Sequence, residues 1–133
     1  EGMAWLGIDP KSEIGVRRAE CGFEAFERDD GLHPDSPRQN WSAYDDYLVS
    51  HGYETENPWE DFANSGLDAD GELLSAWLLE NSRLAANVPE EHSETAYMTD
   101  RAMAFMQDAA GDDRPWVCHL SYIKPHWPYF LRY

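Results

Sequence analysis

The chain has 133 residues, of which 42% are hydrophobic and 14% aromatic, a composition too apolar for a disordered protein. Its 26 acidic and ten basic residues give a net charge of −16, which disfavours nucleic acids and anionic membranes as partners. No apolar run is long enough to span a membrane, and the first residues lack the basic and apolar pattern of a signal peptide.

The charge is unevenly distributed along the chain. Residues 114–133 hold three bases and no acid, whereas the first 113 residues hold seven bases and 26 acids. A basic, acid-free end can bind a small anion locally. A buried strand and loop, in which acids are costly, gives the same pattern, so charge alone leaves both interpretations open.

The chain contains two cysteines, Cys21 and Cys118, separated by most of its length. This spacing matches neither a disulfide framework nor a zinc motif, and it favours a reducing compartment. Together with the missing signal peptide, it predicts a cytoplasmic location.

The first half of the chain predicts turns and one helix. Residues 1–40 are rich in turn-forming pairs, and the run 21–27 (CGFEAFE) predicts a short strand. A helix is predicted over 41–51, capped by Ser42 and ended by Gly52. The residues on its apolar face are Trp41, Tyr44, Tyr47 and Leu48.

The second half predicts two helices and a buried strand. A short helix over 72–80 would bury Leu73, Leu74, Trp77 and Leu78 on one side. A longer helix is predicted over 92–110, with methionines filling the core. Its stripe is Thr99, Ala102, Met103, Met106, Ala109 and Ala110. The near-continuous apolar run 116–123 then predicts a buried strand of a mostly parallel sheet, and hence an α/β layered domain.

The candidate chemistry lies in the loop 124–129 (KPHWPY), directly after this strand. Open α/β sheets bind ligands beyond the carboxyl ends of their strands, and two prolines restrict the loop. Lys124 supplies a compact positive charge, and His126 supplies a proton donor or acceptor near neutral pH. Together they can bind a tetrahedral oxyanion, but from the loop residues alone a surface lysine and an ordinary packed histidine are the favoured interpretation. Trp127 and Tyr129 either line a substrate pocket or pack the loop.

The stretch 90–102 (EEHSETAYMTDRA) leads through Pro115-Trp116 to 119–129 (HLSYIKPHWPY). This succession resembles the middle of the sulfatase family in the alkaline phosphatase superfamily. It is most similar to bacterial phosphonate monoester hydrolases and sulfatase-like phosphodiesterases. In that family a T-D-R-A helix precedes a buried strand, and the strand ends in a (K/R)-P-H-x-P-(F/Y) loop. The resemblance is specific over 90–129 and looser before that.

The resemblance implies a fold, a reaction and two site residues. The fold would be part of an alkaline-phosphatase-like α/β layered structure with a mostly parallel sheet and flanking helices. The substrate would be a small anionic ester, namely a sulfate ester, phosphodiester or phosphonate monoester. His126 would contact the sulfate, phosphate or phosphonate group, and Lys124 would add positive charge.

The resemblance also implies groups that this chain lacks. The family's nucleophile is a Cys or Ser in a (C/S)-x-P-x-R motif, in which the Cys becomes formylglycine, and neither cysteine here lies in such a motif. The family's divalent metal ion (Ca²⁺, Mn²⁺ or Mg²⁺) is bound by paired ligands. The pairs Asp29-Asp30 and Asp45-Asp46 instead read as turn and helix-surface acids. We therefore expect an internal segment of a larger enzyme, inactive alone, with nucleophile and metal ligands elsewhere.

The domain organisation is predicted to change at Val88-Pro89. Residues 1–89 would be a turn-rich, insertion-like segment with short helices. Residues 90–133 would be the helix, buried strand and active-site loop of the sulfatase-like domain. Within that part, His119 is predicted as a core histidine in preference to a site residue. His92 is predicted as part of a solvated helix start; a metal site there is the alternative, but no spacing such as HExxH supports it.

A second hypothesis belongs to another functional class. The chain would be an acidic, non-catalytic binding or oligomerisation module that uses exposed aromatic side chains at an interface. The sequence leaves the oligomeric state open, and a homo-oligomer is among the alternatives.

Overall fold

The computed structural model describes residues 6–9, 12–19, 21–27, 42–126 and 130. The predicted turn acids Asp29 and Asp30, and Trp41 of the first predicted helix, lie outside these residues. Within them, no helix has both the length and the apolar character needed to cross a membrane.

The first helix, α1 (Glu13–Ala19), lies in the region for which the sequence predicted only turns. Ser12 Oγ accepts the Gly15 N–H at 3.1 Å, as an N-cap does. The helix ends where Cys21 and Gly22 adopt positive φ angles of 54° and 88°. This left-handed turn explains why the predicted strand over 21–27 is wrong: its first two residues close a helix instead of entering an extended conformation.

The second helix, α2 (Ala43–Ser50), confirms the predicted helix and its cap at Ser42. The Ser42 side chain accepts the Asp45 N–H, and the Asp45 carboxylate accepts the Ser42 N–H at 3.0 Å. The other carboxylate oxygen of Asp45 accepts the Trp59 N–H at 3.1 Å. Asp45 is therefore buried and joins α2 to the next turn, so its interpretation as a helix-surface acid is wrong.

A single π-helical turn over Trp59–Ala63 brings Glu60 into contact with the segment that follows. The Glu60 carboxylate accepts three hydrogen bonds, from Asn64 Nδ2 at 2.8 Å, Ser75 Oγ at 2.9 Å and Trp77 Nε1 at 3.0 Å. Hydrogen bonds to an ionised carboxylate are roughly twice as strong as neutral ones. Glu60 therefore holds the π-helical turn against residues 75–77.

An antiparallel hairpin, β1 (Ser65–Leu67) and β2 (Leu73–Ser75), replaces the helix predicted over 72–80. Its turn is fixed by Asp68 Oδ1, which accepts the N–H groups of Asp70 and Glu72, each at 2.9 Å. A Cβ on Gly66 would lie 2.5 Å from the Ala85 carbonyl oxygen, so only glycine fits beneath the returning chain. Leu73 and Leu74 belong to a set with helical spacing, but they are adjacent residues of a strand. Their side chains therefore point to opposite faces of the hairpin.

Two short 3₁₀ turns, Leu79–Arg83 and Glu90–His92, lead to the longest helix, α3 (Glu94–Ala110). Ser93 caps α3 by accepting the Ala96 N–H at 3.1 Å, so the predicted helix is confirmed. Its predicted core stripe is correct at Ala102, which is buried, but wrong at Met103 and Met106, which are exposed. The other buried residues of α3 are Glu94 and Tyr97.

The hydrophobic core lies between α2, the π-helical turn and the start of α3. Its buried members are Tyr44, Leu48, Trp59, Ala63, Val88 and Tyr97. The core therefore includes residues from both sides of the predicted domain change at 89, and that division stays a prediction.

Residues 116–123 have no regular secondary structure and run along α3 in the opposite direction. Trp116 packs edge-on against Phe105, Tyr122 Oη lies 2.7 Å from Thr99 Oγ1, and Lys124 lies beside Glu94. The predicted buried strand is wrong, since Trp116 and Val117 are exposed. A strand needs a neighbouring strand for its backbone hydrogen bonds, and among the described residues no strand pairs with this segment.

The α/β layered fold with a mostly parallel sheet stays a prediction. The sheet in the described residues has two strands, and they are antiparallel.

We expect Glu60→Ala to lower the free energy of unfolding by about 2–3 kcal/mol, because three part-buried donors lose their acceptor. Glu60→Gln keeps one acceptor oxygen and should cost less. Urea unfolding followed by circular dichroism measures both. The exposed Glu80 provides a matched control, and Glu80→Ala should change stability by less than about 0.5 kcal/mol. Equal stabilities of the two alanine variants would contradict the role of Glu60.

Candidate functional site

A cleft of about 540 Å³ lies at the start of α3 and contains one of the predicted site residues, Lys124. One wall is the first turns of α3 with its cap, and another is the loop that begins at Lys124. The described lining residues are Ala63, Glu90, Ser93, Thr95, Ala96, Thr99, Asp100, Lys124, Pro125 and Phe130. The cleft is therefore large enough for a small-molecule ligand.

Lys124 lies beside Glu94, a buried carboxylate in the first turn of α3. Lys124 Nζ is 3.8 Å from Glu94 Oε2, and the Glu94 side chain is only 8% exposed. Within the described part of the chain, this oxygen has no hydrogen-bond partner. Attraction to Glu94 therefore holds the Lys124 ammonium near the helix. The pair could not be predicted from the sequence, because the two residues are distant in the chain.

His126 is the last residue of the four-residue turn 123–126, at the start of the predicted loop. Its backbone N–H donates to the Ile123 carbonyl at 2.8 Å, and its side chain is exposed. Lys124 is among the described residues that line the cleft, whereas His126 is not. The structure thus places the two predicted catalytic residues in one turn but brings only Lys124 into the cleft. Trp127 and Tyr129, the predicted substrate contacts, lie outside the described residues.

The electrostatics of the cleft are not those of a simple anion site. Its described lining has Lys124 as a base but also the acids Glu90 and Asp100, with Glu94 directly beside the lysine. A bound dianion would be repelled by these carboxylates, and so it requires positive charge in addition to Lys124.

The described residues do not fit the divalent metal ion that the resemblance implies. Among them, no group of three or more His, Cys, Asp or Glu side chains is arranged to hold a metal ion. No catalytic step through such an ion can be built from them, and the metal of the complete enzyme stays a prediction.

A cluster of histidines and tyrosines, which the sequence did not predict, lies where α2 ends near the second 3₁₀ turn. His51 and His92 have ring centres 4.6 Å apart, and Tyr47 packs against both rings. Tyr53 Oη lies 2.8 Å from His92 Nδ1, and the Tyr44 hydroxyl donates to the His92 carbonyl at 2.9 Å. His92 is therefore partly buried and held by two tyrosines, and its interpretation as a solvated helix start is wrong.

His119, predicted as a core histidine, is exposed and packs against the Phe23 ring with centres 5.6 Å apart. The prediction is wrong because residues 116–123 do not form the buried strand on which it depended. It has no place in the cleft among the described lining residues.

The environment of Tyr47 raises the pKa of its hydroxyl. Burial contributes most, followed by the negative charges of Asp100, Tyr53 and Glu91. A raised pKa means that the folded state retains the tyrosine proton to a higher pH than the unfolded chain does. The contribution of Tyr47 to the free energy of unfolding is therefore fully present below the ordinary tyrosine pKa of 10.0. It is lost as the pH rises through the raised pKa of the folded state.

The chain was also compared with models of known protein families, and no family model matches it. The resemblance to the sulfatase family therefore stays a prediction, carried by the residues of the stretch 90–129.

We expect the free energy of unfolding to fall more steeply above about pH 10 in the wild-type chain than in Tyr47→Phe, because only the former has the Tyr47 proton to lose. Urea unfolding at several pH values measures both slopes. Ultraviolet absorbance of tyrosinate follows the same titration directly. Identical slopes in the two proteins would contradict the raised pKa of Tyr47.

Proposed function

We propose that this chain is a segment of a metal-dependent hydrolase that cleaves sulfate esters, phosphodiesters or phosphonate monoesters. The observation that carries the proposal is the position of Lys124, whose side chain lines the cleft at the start of α3. The succession of helix, apolar segment and Lys-Pro-His loop in 94–126 supports it, because this is the order in which the resemblance places the anion-binding loop.

The loop would act on the anionic group of the substrate through two side chains. His126 donates a hydrogen bond to an anionic oxygen or a proton to the leaving oxygen, as general acids do. Its exposure in the described structure leaves the ring accessible to such a group. Lys124 adds a compact positive charge, which Glu94 holds in place but also weakens.

The acids around Lys124 support the proposal that the segment works within a larger site. Glu90, Glu94 and Asp100 oppose anion binding at this cleft, so the loop alone would bind a dianion weakly. A divalent metal ion, bound by ligands outside this chain, would supply the missing positive charge. The nucleophile, formylglycine in many members of the family, would likewise come from outside it.

The proposed partner is a small anionic ester, with no nucleic acid and no membrane. The proposed location is the cytoplasm. It is supported by the two cysteines, Cys21 and Cys118, which are not joined in a disulfide.

In the hydrolase that carries this segment, we expect His126→Ala to lower kcat by about 100-fold or more, the usual effect of losing a general acid or an oxyanion donor. Steady-state hydrolysis of nitrophenyl sulfate, phosphodiester and phosphonate substrates measures this. His119→Ala is the matched control, because His119 is exposed and outside the cleft lining, and its kcat should stay within about twofold. An unchanged kcat in His126→Ala would exclude the proposed role.

The 133-residue chain alone provides a separate test of the segment proposal. We expect no turnover of the same substrates, with or without added Ca²⁺, Mn²⁺ or Mg²⁺. Metal-dependent turnover by this chain would show a self-contained site and would contradict the proposal that nucleophile and metal ligands lie elsewhere.

A second candidate function is supported by exposed apolar side chains. Val117 is 74% exposed, and Trp116 and Met103 are each 44% exposed, on α3 and on the segment that runs beside it. Large apolar side chains left in water on neighbouring elements are typical of a binding surface. On this hypothesis the chain is an acidic, non-catalytic module that associates with a second copy of itself.

If the chain self-associates through this surface, Val117→Glu should weaken association by about tenfold or more, because it places a charge in an apolar contact. Sedimentation equilibrium measures the association constant. Gln107→Glu, at an exposed position of α3, adds the same charge and should have little effect. A wild-type chain that stays monomeric, or equal effects of both variants, would contradict the module hypothesis.

A further inference from the structure

The cluster of His51, His92, Tyr47 and Tyr53 has a geometry that the proposed hydrolase chemistry does not use. His51 follows the last residue of α2, and His92 ends the second 3₁₀ turn, 41 positions further along the chain. Their ring centres lie 4.6 Å apart. The fold thus brings two imidazoles together from separate elements, outside the Lys124 cleft.

The hydrogen bonds of His51 fix which of its ring nitrogens can bind a ligand. His51 Nδ1 lies 2.8 Å from the Tyr47 carbonyl oxygen. A carbonyl oxygen only accepts, so in the neutral ring the proton of this bond is on Nδ1. The lone pair is then on Nε2, and the side chain is exposed enough for an ion to reach it.

His92 is held in the same manner. Its Nδ1 lies 2.8 Å from Tyr53 Oη, a hydroxyl that can accept the Nδ1 proton and leave the lone pair on Nε2. Its backbone is fixed as well, by the Tyr44 hydroxyl that donates to its carbonyl. Histidines that bind metal ions almost always donate their other ring N–H to an oxygen in this way, which fixes ring and tautomer.

We propose that His51 and His92 form a two-histidine site that binds one divalent transition-metal ion, such as Zn²⁺, through their Nε2 atoms. An ion about 2.1 Å from each nitrogen lies roughly 3.2 Å from each ring centre. At a ligand–metal–ligand angle of about 90–110°, the centres of two such rings are therefore roughly 4.5–5.2 Å apart. The observed separation of 4.6 Å falls within this range.

The surroundings favour a cation of this class. The carboxylates of Asp100 and Glu91 help to raise the pKa of the neighbouring Tyr47, so negative charge lies near the pair. Imidazole nitrogens suit Zn²⁺, Ni²⁺ or Cu²⁺ and not Mg²⁺ or Ca²⁺, which prefer oxygen ligands. No third His, Cys, Asp or Glu joins the pair among the described residues, so water completes the coordination. This ion is distinct from the Ca²⁺, Mn²⁺ or Mg²⁺ of the proposed hydrolase.

The test is a calorimetric titration of the full 133-residue chain with Zn²⁺ alone, in a buffer free of chelators. We expect one saturable site, and no comparable heat with Mg²⁺. His51→Ala and His92→Ala should each weaken binding by at least about tenfold, and Tyr53→Phe, which removes only the supporting hydroxyl, by about tenfold. His119→Ala is the control, since this exposed histidine lies outside the cluster, and it should bind Zn²⁺ as the wild type does.

A second measurement keeps the proposal testable if a histidine variant fails to fold. In the wild-type chain, Ni²⁺ should broaden the imidazole NMR signals of His51 and His92 before that of His119. Binding that survives in the folded His51→Ala chain, or broadening that affects all histidines equally, would show adventitious binding to surface carboxylates and overturn the proposal. So would the absence of any saturable Zn²⁺ binding.

Discussion

The three hydrogen bonds accepted by Glu60 join the π-helical turn to the hairpin and to the residues that follow it. The strands of the hairpin have three residues each, and a two-stranded hairpin is marginally stable by itself in water. Through Asn64, Ser75 and Trp77, one carboxylate ties this hairpin to the turn that covers the core. Asp45 performs the corresponding task between α2 and the same turn. A strongly acidic composition thus includes acids that act as internal acceptors, besides those that carry surface charge.

The two helices that could be predicted, α2 and α3, are specified locally. Each begins at a serine whose hydroxyl accepts a backbone N–H three residues later, and each has apolar residues at helical spacing. Such signals are complete within one segment and need no knowledge of the rest of the fold. They do not say which side of a helix will be covered. The buried side of α3 carries Tyr97 and Ala102, whereas Met103 and Met106 face water.

The elements that could not be predicted depend on contacts between distant residues. The apolar residues in 72–80 have the spacing of a helix, at Leu73, Leu74, Trp77 and Leu78. Leu73 and Leu74 nevertheless form a strand, because they pair with residues 65–67 across the turn at Asp68. Among the described residues, the apolar run 116–123 lacks the neighbouring strand that its composition suggested. In the same way, the loop at Lys124 was recognisable from its own residues, but its partner Glu94 was not. The approach of His51 to His92 leaves no pattern in the sequence either.

The antiparallel course of 116–124 along α3 makes the lengths of these two segments interdependent. Three contacts join the helix to this segment, namely Phe105 with Trp116, Thr99 with Tyr122 and Glu94 with Lys124. The residue numbers fall along the helix as they rise along the segment. One residue inserted between Glu94 and Thr99 would rotate the helix by about 100° and shift it by about 1.5 Å, so that these pairs could no longer meet together. Relatives of this chain should therefore keep the spacing within 94–105 and 116–124 constant. Changes in length should concentrate in the connection 111–115, whose residues are exposed.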